Sequence, residues 1–413
     1  MKTDLDALMQ TYGIEALLVT GPAQYNPFMV YMTGGGHLTM ADLIKKRGEA
    51  PLLFYAPMER DEAARTGLRT RGYNEYPLHQ LMKEAHGDRL EAMALRYQHM
   101  LLDAGVTSGK VALYGRVEIG PLYSVLNILQ QKMPGLTLCG FQAEDILQIA
   151  MATKETEEIE RIRRMGKITT QVVGQVADFL SGQAVRNDVL VKKDGEALTL
   201  GEVKGRINAW LAEQGADNPE GTIFAIGRDA GVPHSSGKPD DLLRLGETIV
   251  FDIYPCEAQG GYYYDFTRTW CLGYAPDEAQ ALYDDVFSVY RQVVSELKPG
   301  TPFTHYQNRT CELFRAQGHA TIAEAPQTEE GYVHSLGHGV GLRIHERPFC
   351  GTTATERDML QPGAVFTIEP GLYYPSKGLG VRLEDTYHIS PGGTIEKLAD
   401  FPMDLVLPVK QAR

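Results

Sequence analysis

Two segments in the second half of the chain follow one plan, and this repetition constrains the fold more than any other feature. They are TIVFDIYPCEAQGGYYYDFTRTW (248–270) and VFTIEPGLYYPSKGLGVRLEDTY (365–387), each with two apolar, strand-like runs around a turn rich in glycine or proline. Each run carries one acid: Asp252 and Asp265, then Glu369 and Glu384. The acids of a pair are an odd number of residues apart, so a hairpin can place them opposite each other on one face. We therefore expect the two hairpins to direct four carboxylates at one point.

These four acids predict a metal centre. Carboxylates among apolar residues are costly to bury unless they are paired or bind metal. Separate salt bridges or solvent-facing positions would explain any one of them, whereas metal binding explains all four. Four carboxylates and a neutral imidazole carry four negative charges, which two divalent cations cancel. An oxygen-rich set with one nitrogen suits Mn²⁺, Co²⁺ or Fe²⁺, and the chain has no HExxH motif. Two metal ions bridged by carboxylates would hold a hydroxide and polarise a carbonyl, which predicts a hydrolase site.

A histidine-rich segment offers the nitrogen ligand. VHSLGHGVGLRIHERP (333–348) contains three of the 11 histidines of the chain. His338 lies between two glycines, which allow close backbone approach, so we expect it to bind metal. His334 and His345 are expected to line the cavity, and His234 lies in a loop, GVPHSSGKP, that can cover the same site. The alternatives are a loop that happens to be rich in histidine and, for His234, a plain surface position.

The length and the pattern of the chain predict two domains. At 413 residues it exceeds what one hydrophobic core usually supports. Residues 1–150 alternate strand and helix signals, which predicts a small α/β domain, and residues 151–413 contain the acidic hairpins. A long amphipathic helix is predicted across 147–180, with Thr153 as its N-cap. The polar segment 181–206 has a turn at KKDGEA and predicts a hairpin or a surface insertion.

Composition excludes several classes of protein. The net charge is −13 and no block of lysine and arginine occurs, so we expect no nucleic-acid partner. No stretch approaches the ~18 consecutive apolar residues of a membrane helix, and the N-terminus does not have the pattern of a secretory signal. The five cysteines are scattered and form no CxxC motif, which favours reduced thiols. These features together predict a cytoplasmic protein without a membrane partner.

Five motifs in the second half occur in an order that matches a known family: PH (233–234), D…GYYYDFTRT (252–269), HSLGHGVGLRIHERP (334–348), FTIEPGLY (366–373) and GVRLED (380–385). Together they resemble the creatinase, aminopeptidase P and prolidase branch of the pita-bread metallopeptidases. The resemblance implies an α/β chain of two domains, a creatinase-like N-terminal domain and a pita-bread catalytic domain. It also implies a homodimer that hydrolyses peptide bonds next to proline in a peptide substrate.

The resemblance further implies a role for each residue of the motifs. Two divalent ions, with Mn preferred over Co, Zn or Fe, would be bound by Asp252, Asp265, His338, Glu369 and Glu384. Glu369 would also handle the proton of the attacking water, while His334 and His345 would contact the substrate and stabilise the intermediate. His234 would lie near the residue after the scissile bond. Arg382 would hydrogen-bond a neighbouring carboxylate, unless it is a simple edge-strand cation, and Thr267 would support the ligands.

Other readings of the same site stay open. The site could trim C-terminal residues, act as a lyase or amidinohydrolase on a small molecule, or bind peptides without catalysis. The interval between the two aspartates and the 181–206 insertion both depart from the family pattern, and both are expected near the cavity mouth. Six potential hydrogen-bond donors lie near the hairpins: Tyr262, Tyr263, Tyr264, Tyr373, Tyr374 and Lys377. They favour the binding of a substrate carboxylate close to the metals, although they could equally pack the sheet.

Overall fold

The structure is a computed structural model and describes residues 4–140 and 145–410. Contacts divide the chain into two units: the chain up to Met151 with Gln259–Gly261, and Ala152–Ala258 with the chain from Tyr262 onward. The predicted division at residue 150 stays a prediction, because these units are defined by contacts and not by independent folding.

The first unit is built around a mixed sheet. Its helices are α1 Leu5–Thr11, α2 Pro27–Thr33, α3 Arg60–Arg65, α4 Leu78–Glu84, α5 Arg89–Asp103, α6 Ile119–Lys132 and α7 Ile146–Met151. Its strands are β1 Ile14–Thr20, β2 Ala41–Lys46, β3 Leu52–Tyr55, β4 Arg69–Gly72, β5 Gly109–Gly115 and β6 Leu136–Cys139. The six strands lie in the order β4-β3-β2-β1-β5-β6.

Three apolar segments of the first unit predict strands, and all three predictions are confirmed. GIEALLVTG, EAPLLFYAP and GKVALYGRV contain β1, β3 and β5. Strand β1 is central, antiparallel to β2 and parallel to β5, so almost all of its residues are buried. Helices α5 and α6 contribute Tyr97, Met100, Val125 and Leu129 to the core that covers this sheet.

The second unit combines helices with two larger sheets. Its helices are α8 Thr156–Ser181, α9 Leu200–Glu213, α10 Asp277–Glu296 and α11 Phe303–Ala316. Its strands are β7 Ala184–Arg186, β8 Val189–Val191, β9 Ala216–Asp217, β10 Thr222–Ile226, β11 Thr248–Ile253, β12 Cys256–Glu257, β13 Phe266–Leu272, β14 Thr301–Pro302, β15 His338–Gly339, β16 Glu346–Phe349, β17 Met359–Leu360, β18 Val365–Ile368, β19 Gly371–Tyr374, β20 Leu379–Arg382, β21 Asp385–Ile389, β22 Ile395–Lys397 and β23 Val406–Leu407.

The two larger sheets carry the acidic hairpins. One sheet has the order β10-β11-β13-β23 and the other has the order β16-β15-β18-β21-β22. Helices α10 and α11 pack against the second sheet through an apolar core that includes Val286, Phe303, Phe366 and Ile389. Among the described residues, no helix combines the length and the apolar character needed to cross a membrane.

The long helix begins later than predicted, so the proposed N-cap at Thr153 is wrong. Helix α8 starts at Thr156 with Glu155 as its N-cap, and the Glu155 backbone N–H donates to Glu158 Oε2 at 2.7 Å. The preceding Lys154 N–H donates to the Gly363 carbonyl at 2.7 Å. This bond ties residue 154 to a distant loop, and the first helical turn forms only after it.

The polar segment after α8 contains a hairpin, but the hairpin turn lies before KKDGEA, where it was predicted, and the segment ends in helix α9. Strands β7 and β8 pair through a turn at Asn187 and Asp188, both with positive φ. The chain turns again at KKDGEA, where the Lys192 N–H donates to the Glu196 carbonyl at 2.8 Å. Helix α9 then begins behind Thr199, whose hydroxyl accepts a hydrogen bond from the Glu202 N–H.

Candidate metal centre and active site

One cavity in the second unit, with a volume of about 970 Å³, gathers every predicted site residue on its wall. These residues come from strands and loops that are far apart in the sequence: His234, Asp252, Asp265, His334, His338, His345, Glu369, Arg382 and Glu384. The cavity lies at the upper end of the ~300–1,000 Å³ range of small-molecule sites. A peptide longer than two residues is therefore compatible with its size.

The first hairpin does not place its two aspartates opposite each other, so that expectation is wrong. Asp252 on β11 pairs with Thr267 on β13, and Asp265 lies two residues before Thr267. The same register continues into the turn, where Cys256 pairs with Tyr263. Because side chains alternate with a period of two, the offset keeps Asp265 on the face of Asp252. Both aspartates therefore still line the cavity.

The second hairpin does align its two glutamates. Ile368 pairs with Asp385, and Gly371 pairs with Arg382 in the same register. Glu369 and Glu384 lie between these two pairs, at the point where the hairpin ladder is interrupted. There Glu384 pairs with Thr267 of the first hairpin instead, and the Glu384 N–H donates to the Thr267 carbonyl at 3.0 Å. This bridge brings the two acidic hairpins together.

His338 is held with one ring nitrogen facing the carboxylates. Its Nδ1 lies 3.1 Å from the Gly339 carbonyl, which can only accept, so Nδ1 carries the proton. Its Nε2 lies 3.4 Å from both Asp265 Oδ2 and Glu369 Oε1. A β-carbon on Gly337 would lie 2.1 Å from the Thr367 carbonyl oxygen, which explains why glycine precedes this histidine.

The electrostatics of the carboxylates are those of a site built for cations. Burial raises the pKa of Asp252 to about 7, although the neighbouring Arg382 guanidinium opposes the shift. Burial also raises the pKa of Glu369 to about 7, against the opposing effect of His338. The pKa of Glu384 lies well above its usual range, because the side chain is buried and the neighbouring carboxylates repel its charge. His338 responds oppositely: burial lowers its pKa, but Asp265 and Glu369 raise it to about 9.

The donor set fits divalent metal ions. Asp265, His338 and Glu384 each offer a ligand atom, and these atoms lie within 4.8 Å of one another. Asp252 Oδ1 and Glu384 Oε1 are buried and have no hydrogen-bond partner in residues 4–140 and 145–410. A buried oxygen without a donor is costly, and a cation bound between these side chains would remove that cost for both.

Arg382 is buried and donates hydrogen bonds to several neighbouring residues, so it is not an edge-strand cation. Its Nη2 donates to Asp252 Oδ2 at 2.5 Å, and its Nη1 donates to the Tyr373 hydroxyl at 2.8 Å. Thr267 acts similarly on the other side, where its hydroxyl donates to Glu384 Oε2 at 2.7 Å. These bonds leave Asp252 Oδ1 and Glu384 Oε1 as the oxygens without partners.

The three further histidines have different environments. His334 uses both ring nitrogens within the protein, at 2.7 Å from the Ser335 carbonyl and 2.8 Å from the Tyr373 hydroxyl. The His345 ring lies 4.3 Å from the His338 ring, edge to face. Burial lowers the pKa of His334 to about 3, and partial loss of hydration against the cavity wall lowers the pKa of His345 to about 4, so both are neutral near pH 7. His234 and His345 are exposed side chains on the cavity wall.

The hydrogen-bond donors that we expected around the rim of the cavity lie outside the cavity wall. None of the six proposed side chains is among the residues that line the cavity. The Tyr262 hydroxyl donates to Glu158, and the Tyr264 ring lies where a β-carbon on Gly166 of α8 would be. Tyr373 contacts Arg382 and His334 but is itself buried. The tyrosines therefore pack the sheet, and the argument for a substrate carboxylate based on them is wrong.

Several lining residues were not predicted, because they lie outside the motifs. Lys204 and Asn208 come from α9, and Asn218 and Glu220 come from the loop before β10. Lys204 belongs to the 181–206 insertion, which was expected near the cavity mouth. Its polar pattern is that of a surface helix, so the sequence carries no signal for this position.

The fold and the site together define a metallopeptidase with a pita-bread catalytic unit. Residues 160–391 match the model of metallopeptidase family M24, and the chain belongs to that family. The family and the fold class predicted from the motifs are therefore confirmed. Membership of this family implies divalent metal ions, in agreement with the donor set.

Similar solved structures extend the likeness of fold over both units, whereas the sequence match covers only part of the chain. An Xaa-Pro dipeptidase of Pyrococcus furiosus is 29% identical over 252 residues, which are 60% of this chain and 64% of that protein. An Xaa-Pro dipeptidase structure from Bacillus anthracis has a TM-score of 0.74 at 19% identity, with 97% of each chain covered. An X-Pro aminopeptidase structure from Thermotoga maritima has a TM-score of 0.72 at 21% identity, covering 97% of this chain and 99% of that one. The structural likeness at this identity concerns the fold.

Proposed function

We propose that the protein is a metal-dependent exopeptidase that hydrolyses peptide bonds next to proline. The observation that carries this proposal is the meeting of five potential ligands in one cavity, where two buried carboxylate oxygens have no partner among the described residues. The preference for proline is proposed from the similar proteins that are named Xaa-Pro peptidases.

The metal ligands of this proposal are Asp252, Asp265, His338, Glu369 and Glu384. Four carboxylates and one imidazole balance two divalent cations, and the predominance of oxygen donors favours Mn²⁺. Ions held by these five residues would supply Lewis-acid chemistry, which would polarise the scissile carbonyl and lower the pKa of a water molecule.

Glu369 is proposed to accept the proton of the attacking water. Its side chain is 15% exposed, the largest fraction among the four acids, so it can reach a water molecule in the cavity. It can then return the proton to the leaving nitrogen. Asp252, Asp265 and Glu384 are each buried and are held in place by hydrogen bonds from Arg382, the Phe266 N–H and Thr267.

The histidines are proposed to bind the substrate. His345 and His234 are exposed to the cavity and can donate to a carbonyl or to the oxyanion of the intermediate. His334 forms a more rigid wall, because Ser335 and Tyr373 already engage its ring. Arg382 positions Asp252 and Tyr373 and does not itself need to contact the peptide.

The test is hydrolysis by protein that has been stripped of metal and then reloaded with Mn²⁺. Xaa-Pro dipeptides and longer Xaa-Pro peptides should be cleaved only after reloading, while peptides without proline and small guanidino compounds should not. Cleavage by fully metal-free protein, verified by elemental analysis, would contradict the proposed site. Turnover of the small compounds alone would replace the peptidase by an amidinohydrolase or lyase.

The same assay determines which end of the peptide is recognised. An Xaa-Pro dipeptide, its C-terminal amide and a longer peptide acetylated at its N-terminus separate the possibilities. Loss of cleavage on acetylation identifies an aminopeptidase, and loss on amidation identifies a dipeptidase. Release of the C-terminal residue from the acetylated peptide identifies a carboxypeptidase.

We further propose a homodimer in the cytoplasm. Cys139, Cys256, Cys271, Cys311 and Cys350 are all free thiols, which is typical of a reducing compartment. The homodimer follows from the family resemblance alone. Light scattering of the metal-loaded protein tests it, and a monomeric mass would contradict it.

A further inference from the structure

Among the residues that the structure describes, one cationic side chain on the cavity wall, Lys204, has no acidic partner. Lys204 and Arg382 are the two cationic side chains among the described residues that line the cavity. Arg382 is engaged with Asp252 at 2.5 Å. In the part of the chain that the structure describes, no carboxylate lies within ion-pair distance of Lys204. The lysine therefore differs from an ordinary surface lysine, which is either solvated or paired.

The environment of Lys204 favours an anionic ligand. The residue is half-buried on α9, and its ammonium donates to the Ser236 carbonyl. An ammonium has three donors, so two remain for a ligand in the cavity. Burial lowers the pKa of Lys204, with no opposing effect from a neighbouring acid. An anion beside the ammonium would stabilise the charged form of the lysine, which burial disfavours.

We propose that Lys204 is a specificity-determining residue that binds a carboxylate of the peptide substrate. This inference rests on the proposed peptidase function. The carboxylate is either an acidic side chain of the peptide or its C-terminus, and the two share the same chemistry toward an ammonium. The volume of the cavity, about 970 Å³, accommodates a peptide that extends from the metal ligands to α9.

Lys204 also has a structural contact that the test must separate from substrate binding. Ser236 belongs to the loop that carries His234, so the lysine tethers this loop to α9. A tether would affect all substrates alike, because it changes the position of the loop and not the charge that the substrate meets. A carboxylate-binding role would affect only substrates that carry the carboxylate in the right place.

The experiment compares matched peptides with the manganese-loaded enzyme. Three pairs differ by one carboxylate each: Glu-Pro-Ala-Ala and Gln-Pro-Ala-Ala, Ala-Pro-Glu-Ala and Ala-Pro-Gln-Ala, and Ala-Pro-Ala-Ala as free acid and as amide. We expect the wild-type enzyme to prefer the carboxylate in one pair by about 10- to 100-fold in kcat/KM, mainly through KM. The pair that shows the preference identifies the source of the carboxylate.

The variants connect this preference to the lysine. Lys204→Met should abolish the preference, and Lys204→Arg, which keeps the charge, should retain most of it. Lys238→Met is the matched control, because Lys238 is an exposed lysine two residues after Ser236 that does not line this cavity. It should leave the preference unchanged. Thermal melts of all variants verify that they fold.

The outcomes that would overturn the inference are distinguishable. If Lys204→Met lowers kcat/KM equally for both members of every pair, or if the wild-type enzyme shows no preference, the lysine is only a tether and the peptidase function stands. If the wild-type enzyme cleaves an Xaa-Pro dipeptide but none of the three pairs, the inference fails and the peptidase function stands; if it cleaves neither, the proposed function itself fails and the inference fails with it.

Discussion

The buried ion pair between Lys154 and Glu346 should contribute several kcal/mol to the stability of the second unit, about 3–5 kcal/mol when one partner is removed. Lys154 Nζ lies 2.5 Å from Glu346 Oε1, and each side chain is 1% exposed. The pair joins the segment before α8 to the loop that carries His345. Glu346 Oε2 also accepts a hydrogen bond from the Arg343 N–H at 3.3 Å. Lys154→Met would therefore leave the Glu346 carboxylate buried without its counter-charge.

The size of this effect follows from burial. Removing one partner of a buried ion pair costs about 3–5 kcal/mol, because the remaining charge is not solvated. At roughly 2–4 °C per kcal/mol for a unit of this size, the melting temperature should fall by about 6–20 °C. Lys192→Met is the control, since Lys192 and Glu202 lie at a similar distance, 2.6 Å, but are 31% and 39% exposed. Its cost should stay below about 1 kcal/mol.

Tryptophan fluorescence can measure both variants, because Trp210 and Trp270, the two tryptophans of the chain, both lie in the second unit. The double variant Lys154→Met/Glu346→Gln should recover at least about 2 kcal/mol relative to the sum of the two single variants, as expected for residues in direct contact. The reasoning is refuted if the melting temperature of Lys154→Met lies within about 2 °C of the wild-type value, or if it falls no further than that of the Lys192→Met control. In either case the loss of a buried counter-charge is not the determining cost.

Three further predictions concern the metal centre. Mn²⁺ should raise the free energy of unfolding by an amount that grows with free Mn²⁺ to about 2.7 kcal/mol at 100 times Kd, so metal-free protein should melt at a lower temperature than loaded protein; melting temperatures independent of Mn²⁺ would contradict the site. Glu369→Gln should lower kcat by roughly 10²–10⁴-fold with the fold retained, and near-normal turnover in a steady-state assay would exclude Glu369 as the proton acceptor. Thr267→Val removes the hydroxyl that donates to Glu384 and should weaken Mn²⁺ binding by about 10–100-fold in isothermal titration calorimetry, whereas unchanged affinity would show that this bond does not support the ligand.

Local pattern was sufficient to predict the candidate ligands, because the relevant physics is local. An acid inside an apolar, strand-like run must be buried, and this holds before the fold is known. The alternation of side chains along a strand kept Asp252 and Asp265 on one face even though their predicted register was wrong by two residues. The glycine before His338 likewise reports a close backbone approach through its own lack of a side chain.

Other features depended on contacts between residues far apart in the sequence. Glu384 pairs with Thr267 across the two hairpins, and the oxygens left without partners follow from that bridge and from the reach of Arg382. Tyr262 and Tyr264 are residue types that are common at the rim of a binding site. In the structure they instead pack against α8, where they contact Glu158 and Gly166. Hydropathy and spacing describe a residue and its neighbours in the chain, and they contain no information about which distant element covers it.

Lys204 shows the difference most clearly. In the sequence it is one lysine in a polar segment, and the favoured interpretation of such a residue is a solvated surface position. Only the packing of α9 beside the loop that carries His234 places the ammonium on the cavity wall, half-buried and without an acidic partner among the described residues. The sequence by itself determined the family, the fold class and the candidate ligands, because motif order and burial are encoded locally. The tertiary structure decided which charges lie beside those residues, because the energy of a buried charge depends on what surrounds it in space.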